Sequence, residues 1–513
     1  MGLETYDDEA ARRYDEATKH SVESLRRAPR GLDWANQPLP YKIYATLPPL
    51  VLPTTFAAST MSALDAIATP SPSAGGYAIP DLETLARLCH FSNGVLRRRR
   101  HPGGEIGFRA AACTGALYHI ELYIVVAELP GLVAGVYHFG AHDDSLRRLR
   151  SGDHRGALVE ATAGEPAIHR ASAIVVLTST FWRNAWKYQT RAYRHAYWDS
   201  GTILANLLAC AAAARLPARV VLGFVDSIVN DLVDVDGECE AVVALVALGS
   251  TVEEPPPPPP RTPLGLPTVR LSPTEVDYPE IRAVHRASCI AEPRAVGAWR
   301  SPYPGRPAER AGGPSVALPA LDLTTLPDDP IEVVIRRRGS TRRFSLDHIG
   351  INQLTAIVDG AQAAVPLDCV GPESASLSYS YLIVHGVDGL APGAYYVHRP
   401  TRELERLRDA SHRQVAGALA LGQALAAEAA VNVYFLADLD AVLGHFGNRG
   451  YRLAQLHAAI AAGRIYLAAY ALGLGATGLT FFDDDVTEFF APHAEGRSVM
   501  FLVAVGRPWR RDP

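Results

Sequence analysis

Three short stretches of this chain carry residues whose types and spacing could do chemistry. In WKYQTRAYRHAYWDSG, residues 186–201, the basic nitrogen of Lys187 stands beside the phenol of Tyr188. A lysine serves as a base once burial or a neighbouring cation lowers its pKa toward neutrality, and a phenol beside it can orient or relay. The plain alternative is a surface lysine next to a packing tyrosine. In RRRGSTRRF, residues 336–344, the hydroxyl of Ser340 lies between Arg338 and Arg342. A tight turn of that kind clamps a phosphate through bidentate guanidinium bonds, although a solvated basic loop reads the same way. GLGATG, residues 473–478, matches GxGxxG. That fingerprint holds a pyrophosphate only after a strand and at the head of a helix. Here it follows the helical pattern AAIAAGRIYLAAYALG and leads into a strand, so the glycines are expected to cap a helix and allow close packing.

The elements that must position these residues come in two copies. GLVAGVYHFGAHDDSLRRL (131–149) echoes GLAPGAYYVHRPTRELERL (389–407). Gly135 pairs with Gly393, Tyr123 with Tyr381 and Arg191 with Arg449, always at one offset (449 − 191 = 258). A constant offset over so long a stretch indicates a duplicated domain. Each copy reads as α+β. An early amphipathic helix (DLETLARLCHFSNG; INQLTAIVDGAQAA) leads into a strand (LYIVVAEL; SYLIVHGV). A Gly-Tyr strand and a further strand (ASAIVVLTS; AAVNVYFLAD) come next, then a long Ala/Leu helix and a closing apolar strand (AVVALVALG; VMFLVAVG). The second copy of the opening stretch, GHFGNRGYRLAQLHAA (444–459), keeps the arginines and the tyrosine but has His445 and Phe446 in place of Lys187 and Tyr188.

At 513 residues the chain exceeds what one core usually supports, and 48% hydrophobic with 20% charged residues is soluble globular composition. A net charge of −5 leaves no overall basic excess to argue for nucleic acid, and the arginine run 97–100 is expected to be a solvated loop. Six scattered cysteines without a CxxC pair fit reduced thiols in a cytoplasm and give no metal signature. The charged start MGLETYDDEAARRYDEATKH has no apolar segment of a signal peptide. The most apolar run, GTILANLLACAAAARLPARVVLGF, contains Asn206, Arg215 and Pro217, which suits a buried helix and strand better than a membrane span. Six prolines at 255–260 open a Pro-, Gly- and Arg-rich spacer. The expected division is 1–254, a linker 255–325, and 326–513.

IRRRGSTRRFSLDHIGINQLTAIVDGAQA resembles the opening of the nitroreductase superfamily. The first copy resembles its SagB-type branch, the thiazole/oxazole-forming azoline dehydrogenases, over most of residues 10–250. The matching segments are YDEATKHSVESL, LDWANQPLPYKIYATLP, FRAAACTGALYHIELYIVV, GVYHF and WKYQTRAYRHAYWDSGTILANLLACAAAARL. The resemblance implies a nitroreductase-like fold that binds FMN between two partners. It implies that Lys187 and Tyr188 are catalytic. One partner would supply the phosphate residues Arg338, Ser340 and Arg342, the glycine turn at Gly478, and a basic tail with Arg507, Arg510 and Arg511. The other would supply the loop Cys113, Thr114, Gly115 near the flavin ring. The family loop reads Pro-Ser-x-Gly, so Cys113 and Thr114 match by position rather than identity, and Cys113 could equally be a small core residue. Tyr118 and Glu121 can be structural, and Glu121 could instead touch substrate or flavin.

The losses in the two copies are complementary. Copy one has SPSAGGYAI where the phosphate arginines belong, and copy two has CVGPESASLSYSY where the flavin loop belongs. The expectation is one composite FMN site in an intramolecular pseudo-dimer. Its reaction would be oxidation of a thiazoline or oxazoline to the azole, with O2 as reoxidant, on a peptide or small-molecule product of a cyclodehydratase or peptide-synthetase partner. The alternatives are an NAD(P)H-dependent nitro or quinone reductase and a non-catalytic flavin-binding scaffold. No nucleic acid, membrane or metal is expected.

Overall fold

The computed structural model describes residues 7–27, 31–69, 78–101, 104–260, 262–305, 309–371 and 377–509. The first half contributes β1 (Pro49–Val51), β2 (Val95–His101), β3 (Gly104–Arg109), β4 (Ile120–Val126), β5 (Gly135–Gly140), β6 (Ser145–Ser151), β7 (Ala173–Thr180), β8 (Ala218–Val221) and β9 (Glu240–Leu248). The second contributes β10 (Ser315–Ala317), β11 (Ile349–Gly350), β12 (Tyr379–Val384), β13 (Val387–Asp388), β14 (Gly393–His398), β15 (Glu403–Asp409), β16 (Val431–Ala437), β17 (Gly475–Gly478) and β18 (Ser498–Gly506).

Two seven-stranded sheets form, in the orders β1-β6-β5-β4-β7-β9-β8 and β10-β15-β14-β12-β16-β18-β17. Position by position these orders are the same, so the repeat read from the offset is a repeat of topology. All the ladders in both sheets are antiparallel. β4, β7 and β9 are buried at every residue, which their runs of valine, isoleucine and leucine make favourable on both faces. The fold is α+β, as the sequence predicts.

The halves join through their long helices, Ala192–Ala213 and Arg449–Ala471. A Cβ on Gly201 would stand 2.4 Å from that of Ala459, and one on Gly463 would stand 2.6 Å from that of Ala205. Both pairs are related by the 258-residue offset, so equivalent positions meet their own counterparts, as in a twofold dimer. One core of buried side chains runs through both halves. The first sheet also gains a strand-like neighbour from the second half, because Val220 N–H donates to Pro366 O (2.8 Å) and Asp368 N–H to Val220 O (3.1 Å).

One expectation needs correction. The arginines at 97–100 lie in strand β2, paired with β3, and not in a loop, because GEIGFR supplies the backbone partners that the run itself gives no hint of. That hairpin separates the early helix Leu82–Asn93 from β4. The prolines lie close against the first half: a Cβ on Gly156 would come within 1.9 Å of Pro256 O. Beyond them come helices Pro279–Ala287 and Pro293–Trp299 and strand β10. The first of these helices does for Arg452 what Ala10–Ala17 and the residue after it do for Arg194. Ser288 Oγ accepts from Arg452 Nε (2.8 Å), and Thr18 Oγ1 accepts from Arg194 Nε (3.1 Å).

Candidate active site between the halves

Strand β7 ends at Thr180 and runs straight into the short helix Phe181–Tyr188. That helix stops because Gln189 takes φ 51° and ψ −138°, a region that side chains rarely occupy. The bend turns the chain into the long helix and leaves Tyr188 on the inside of the corner. Tyr188 packs edge-on against His195, with ring centroids 4.6 Å apart, and its hydroxyl lies over Gly115, where an added Cβ would stand 2.8 Å from it. Burial, reinforced by Asp199 and Cys113, pushes the Tyr188 phenol well above its usual range, so it stays protonated. Lys187 lies 5.2 Å from the Tyr188 ring centre. Its side chain is exposed, so the burial expected of a lysine base is not found.

Opposite Tyr188, residues 113–115 form a turn gripped from below by Asp199 on the long helix. Asp199 Oδ1 accepts from Thr114 N–H (2.9 Å) and Thr114 Oγ1 (2.7 Å). Its Oδ2 accepts from Cys113 Sγ (3.0 Å) and bonds His119 Nε2 (2.8 Å). The ligand-type atoms of Cys113, His119 and Asp199 lie within 4.8 Å of one another, and these hydrogen bonds account for the approach. Burial and the Asp199 carboxylate push the Cys113 thiol well above its ordinary value. Tyr118 and Glu121 belong to the packing beneath. Arg109 lies over the Tyr118 ring at 5.3 Å, and Glu121 is held by Arg183 and by His138 (3.0 Å).

The arginine loop of the second half reaches the other end of this same segment. Arg338 is buried, and its Nε donates to Ala110 O (2.8 Å) and its NH2 to Arg109 O (3.2 Å). In return Arg97 of the β2–β3 hairpin donates to Arg338 O (3.0 Å). The loop is seated on β17, where Thr341 N–H donates to Ala476 O (3.0 Å). A Cβ on Gly475 would lie 2.2 Å from Thr341 Oγ1. Gly473, at φ 71°, ends the preceding helix, and Leu474 N–H closes back on Ala469 O (2.8 Å). The GxGxxG glycines therefore cap a helix and admit the loop, and no helix starts after them. Gly478 is the last residue of β17 rather than a turn, and its N–H donates to Tyr466 OH.

Of the expected site residues, Cys113, Thr114, Gly115 and Tyr188 come together, and Arg338 bonds the carbonyls of Arg109 and Ala110 just before them in the chain, with Ser340 and Arg342 on the loop that carries Arg338. Arg507 is exposed, and its Nε donates to His348 O (2.8 Å). Arg510 and Arg511 lie outside the described residues, as does most of SPSAGGYAI and of CVGPESASL. Asp199 and His119 escaped the sequence reading. The signal for Asp199 was a carboxylate set inside a long apolar helix, in WDSG.

These residues suit a phosphorylated flavin. The guanidinium groups of Arg338 and Arg342 are donors only and the Ser340 hydroxyl can donate, no carboxylate pairs with any of the three among the described residues, and Arg338 still has N–H groups to give. Burial holds the Arg338 guanidinium below its ordinary pKa, and an anion would restore it.

The corresponding corner of the second half is closed. Trp299 stacks on Phe446 (centroids 5.2 Å) and donates Nε1 to its carbonyl (3.1 Å), and Tyr303 packs on His445 (5.4 Å). His445 Nε2 is tied to Ser301 Oγ and O, both at 3.1 Å. The segment between the halves thus covers His445 and Phe446, whereas Lys187 is exposed.

Taken with the sheet order, this geometry is that of a nitroreductase-like fold, with its two large sheets in a duplicated two-domain arrangement. Residues 335–507 match the Nitroreductase family. The crystal structure of a protein from Anabaena variabilis assigned as a nitroreductase superposes with TM-score 0.75 and 26% identity, over 98% of this chain and 99% of that one. A Methanocaldococcus jannaschii protein assigned as a nitroreductase is 23% identical over 149 residues, 29% of this chain and 74% of its own. The chain is also similar, at TM-score 0.33 and 18% identity, to the E. coli microcin synthetase McbBCD complex with truncated pro-MccB17 bound, over 48% of this chain and 96% of that one. No helix among the described residues is long and apolar enough to cross a membrane.

Proposed function

We propose that this chain is an FMN-dependent dehydrogenase that oxidises a thiazoline or oxazoline, in a peptide or related natural product, to the aromatic azole. The observation that carries this reading is Tyr188 over Gly115 in the same segment whose start, at Ala110, is bonded by Arg338 of the other half. Arg338, Ser340 and Arg342 would hold the phosphate, and the turn at 113–115 would face the ring. Bound FMN would supply the hydride acceptor.

Aromatisation removes one hydride and one proton from the azoline ring. Lys187, next to Tyr188 at the corner, would take the proton, with Tyr188 orienting the ring or relaying. Molecular oxygen would then take the two electrons with two protons, leaving hydrogen peroxide. A cyclodehydration of cysteine, serine or threonine must supply such a substrate, which implies a cyclodehydratase or peptide-synthetase partner.

The test is anaerobic mixing of the FMN-loaded chain with a thiazoline-containing peptide. Bleaching of the flavin and a product two hydrogens lighter support the reading. The names of the two relatives favour a second one, reduction of nitro compounds or quinones by NAD(P)H. Bleaching by NAD(P)H and none by any azoline would establish the second and overturn the first.

A further inference from the structure

The turn opposite Tyr188 is strained. Gly115 has φ 64°, but Ala116 (55°) and Tyr118 (49°) are also left-handed, and neither is glycine. Such backbone persists only where surrounding bonds over-determine it. Those bonds come from one helix. Asp199 takes the Thr114 N–H, the Thr114 hydroxyl and the Cys113 thiol, and Thr202, one turn on, donates to Ala112 O (2.6 Å). Cys113 Sγ in turn accepts from Tyr118 N–H (3.1 Å), which fixes the direction of the thiol hydrogen toward Asp199. Behind the carboxylate stands His119, fully buried, with its other nitrogen on Ser179 Oγ (2.9 Å). The position equivalent to Asp199 in the second half is His457 (457 − 199 = 258), whose ring bonds Ser378 (3.1 Å).

We propose that Asp199 is the positioning residue of the turn at 113–115, and that by taking both side-chain donors of Cys113 and Thr114 it leaves the turn a hydroxyl oxygen that only accepts. The ligand group facing Thr114 is then an N–H or O–H donor. This deepens the reading of the same corner as a flavin and substrate site, and rests on it for the identity of the ligand, while the grip itself does not.

The experiment therefore starts without ligand. In the flavin-free chain, alkylation of Cys113 by iodoacetamide at pH 8 is followed by peptide mass mapping, because Cys239 is exposed and will also react. The charged or titratable groups about Cys113 are Asp199, His119, Arg109, Tyr118 and Tyr188. Asp199→Asn removes the adjacent charge and the best acceptor, so Cys113 should alkylate at least about tenfold faster. Thr114→Val leaves the charge in place and should give a smaller rise through loosening alone. Asp199→Glu should restore slow alkylation in part. Equal Cys113 rates in wild type and a folded Asp199→Asn chain would overturn the proposal. Should Asp199→Asn not fold, an unchanged rate in Thr114→Val would do so. A rise in rate in a chain that never binds FMN would leave the grip standing and remove the flavin reading, so the two failures are separable.

Discussion

Gln189 and Gly447 make the same bend at the same place in the two halves, 258 residues apart (447 − 189). Gly447 has φ 60° and ψ −161°, and Gln189 has φ 51° and ψ −138°. Glycine takes this conformation without cost, whereas another residue held there stores on the order of 1–3 kcal/mol. The relaxed residue stands beside Phe446 and the strained one beside Tyr188. Gln189→Gly should therefore stabilise the chain by about 1 kcal/mol in chemical denaturation while lowering turnover, because the corner that fixes Tyr188 loosens. Unchanged stability would show that the bend is not strained.

Lys187→Ala should leave FMN bound and the fold intact and lower turnover at least about a hundredfold, the scale of a lost general base. His445→Ala, under the Trp299 and Tyr303 cover, should be nearly silent in activity. Steady-state rates on an azoline substrate compare them, and similar losses in both would move the catalysis away from the first half.

Arg338→Ala and Arg342→Ala should release flavin, each by removing a charge-assisted bond of roughly 1.5–3 kcal/mol to the phosphate. Arg338→Ala should be the more severe, since it also frees the Ala110 and Arg109 carbonyls. Gel filtration of the double variant with retained yellow colour would end the phosphate assignment.

The flavin count should be one per chain. In the second corner the segment 299–303 occupies the space beside His445 and Phe446, and the opposing first-half sequence SPSAGGYAI contains no arginine. Absorbance of released flavin against protein concentration gives the ratio, and a value near two would mean that the second corner opens.

Asp226 should prove essential to the joint between halves. Arg449 NH1 and Arg452 NH1 of the second half both reach it at 2.6 Å, as Arg191 and Arg194 of the first half reach Asp483 at 3.1 and 2.8 Å. Burial alone would raise both acids, but the arginines outweigh it and hold each carboxylate below its usual range. Asp226→Asn should cost about 3–5 kcal/mol by leaving buried guanidinium groups uncompensated. A depressed acid stabilises above the unfolded value, about pH 3.9, and loses that contribution as pH falls through the folded one. The gap between wild type and variant should thus close below about pH 4 in denaturant titrations.

These acids show where sequence reading stops. The shared Arg-x-Tyr-Arg pattern was plain at the offset, yet its purpose was hidden because each partner lies in the opposite half. Helix Pro279–Ala287 was read as linker because VHRASCI keeps little of YDEATKH beyond a small residue before Thr18 or Ser288. Residues 336–344 stand out in the sequence because a hydroxyl lies among arginines, a pattern shared by a phosphate clamp and a solvated basic loop. Asp199 was not, since the groups it gathers lie about 80 residues upstream.

Gly201 against Ala459 has a consequence for inheritance. In a dimer of identical chains, any change at such a contact appears on both sides of the axis, and every change near one flavin appears near the other. Here each codon is expressed once per assembly. A glycine can face an alanine, an aspartate can answer a histidine, and one corner can be walled off without loss to its twin. The joined chain also keeps its two halves together at any dilution, because the effective concentration of one half about the other is set by the connection and not by the cell.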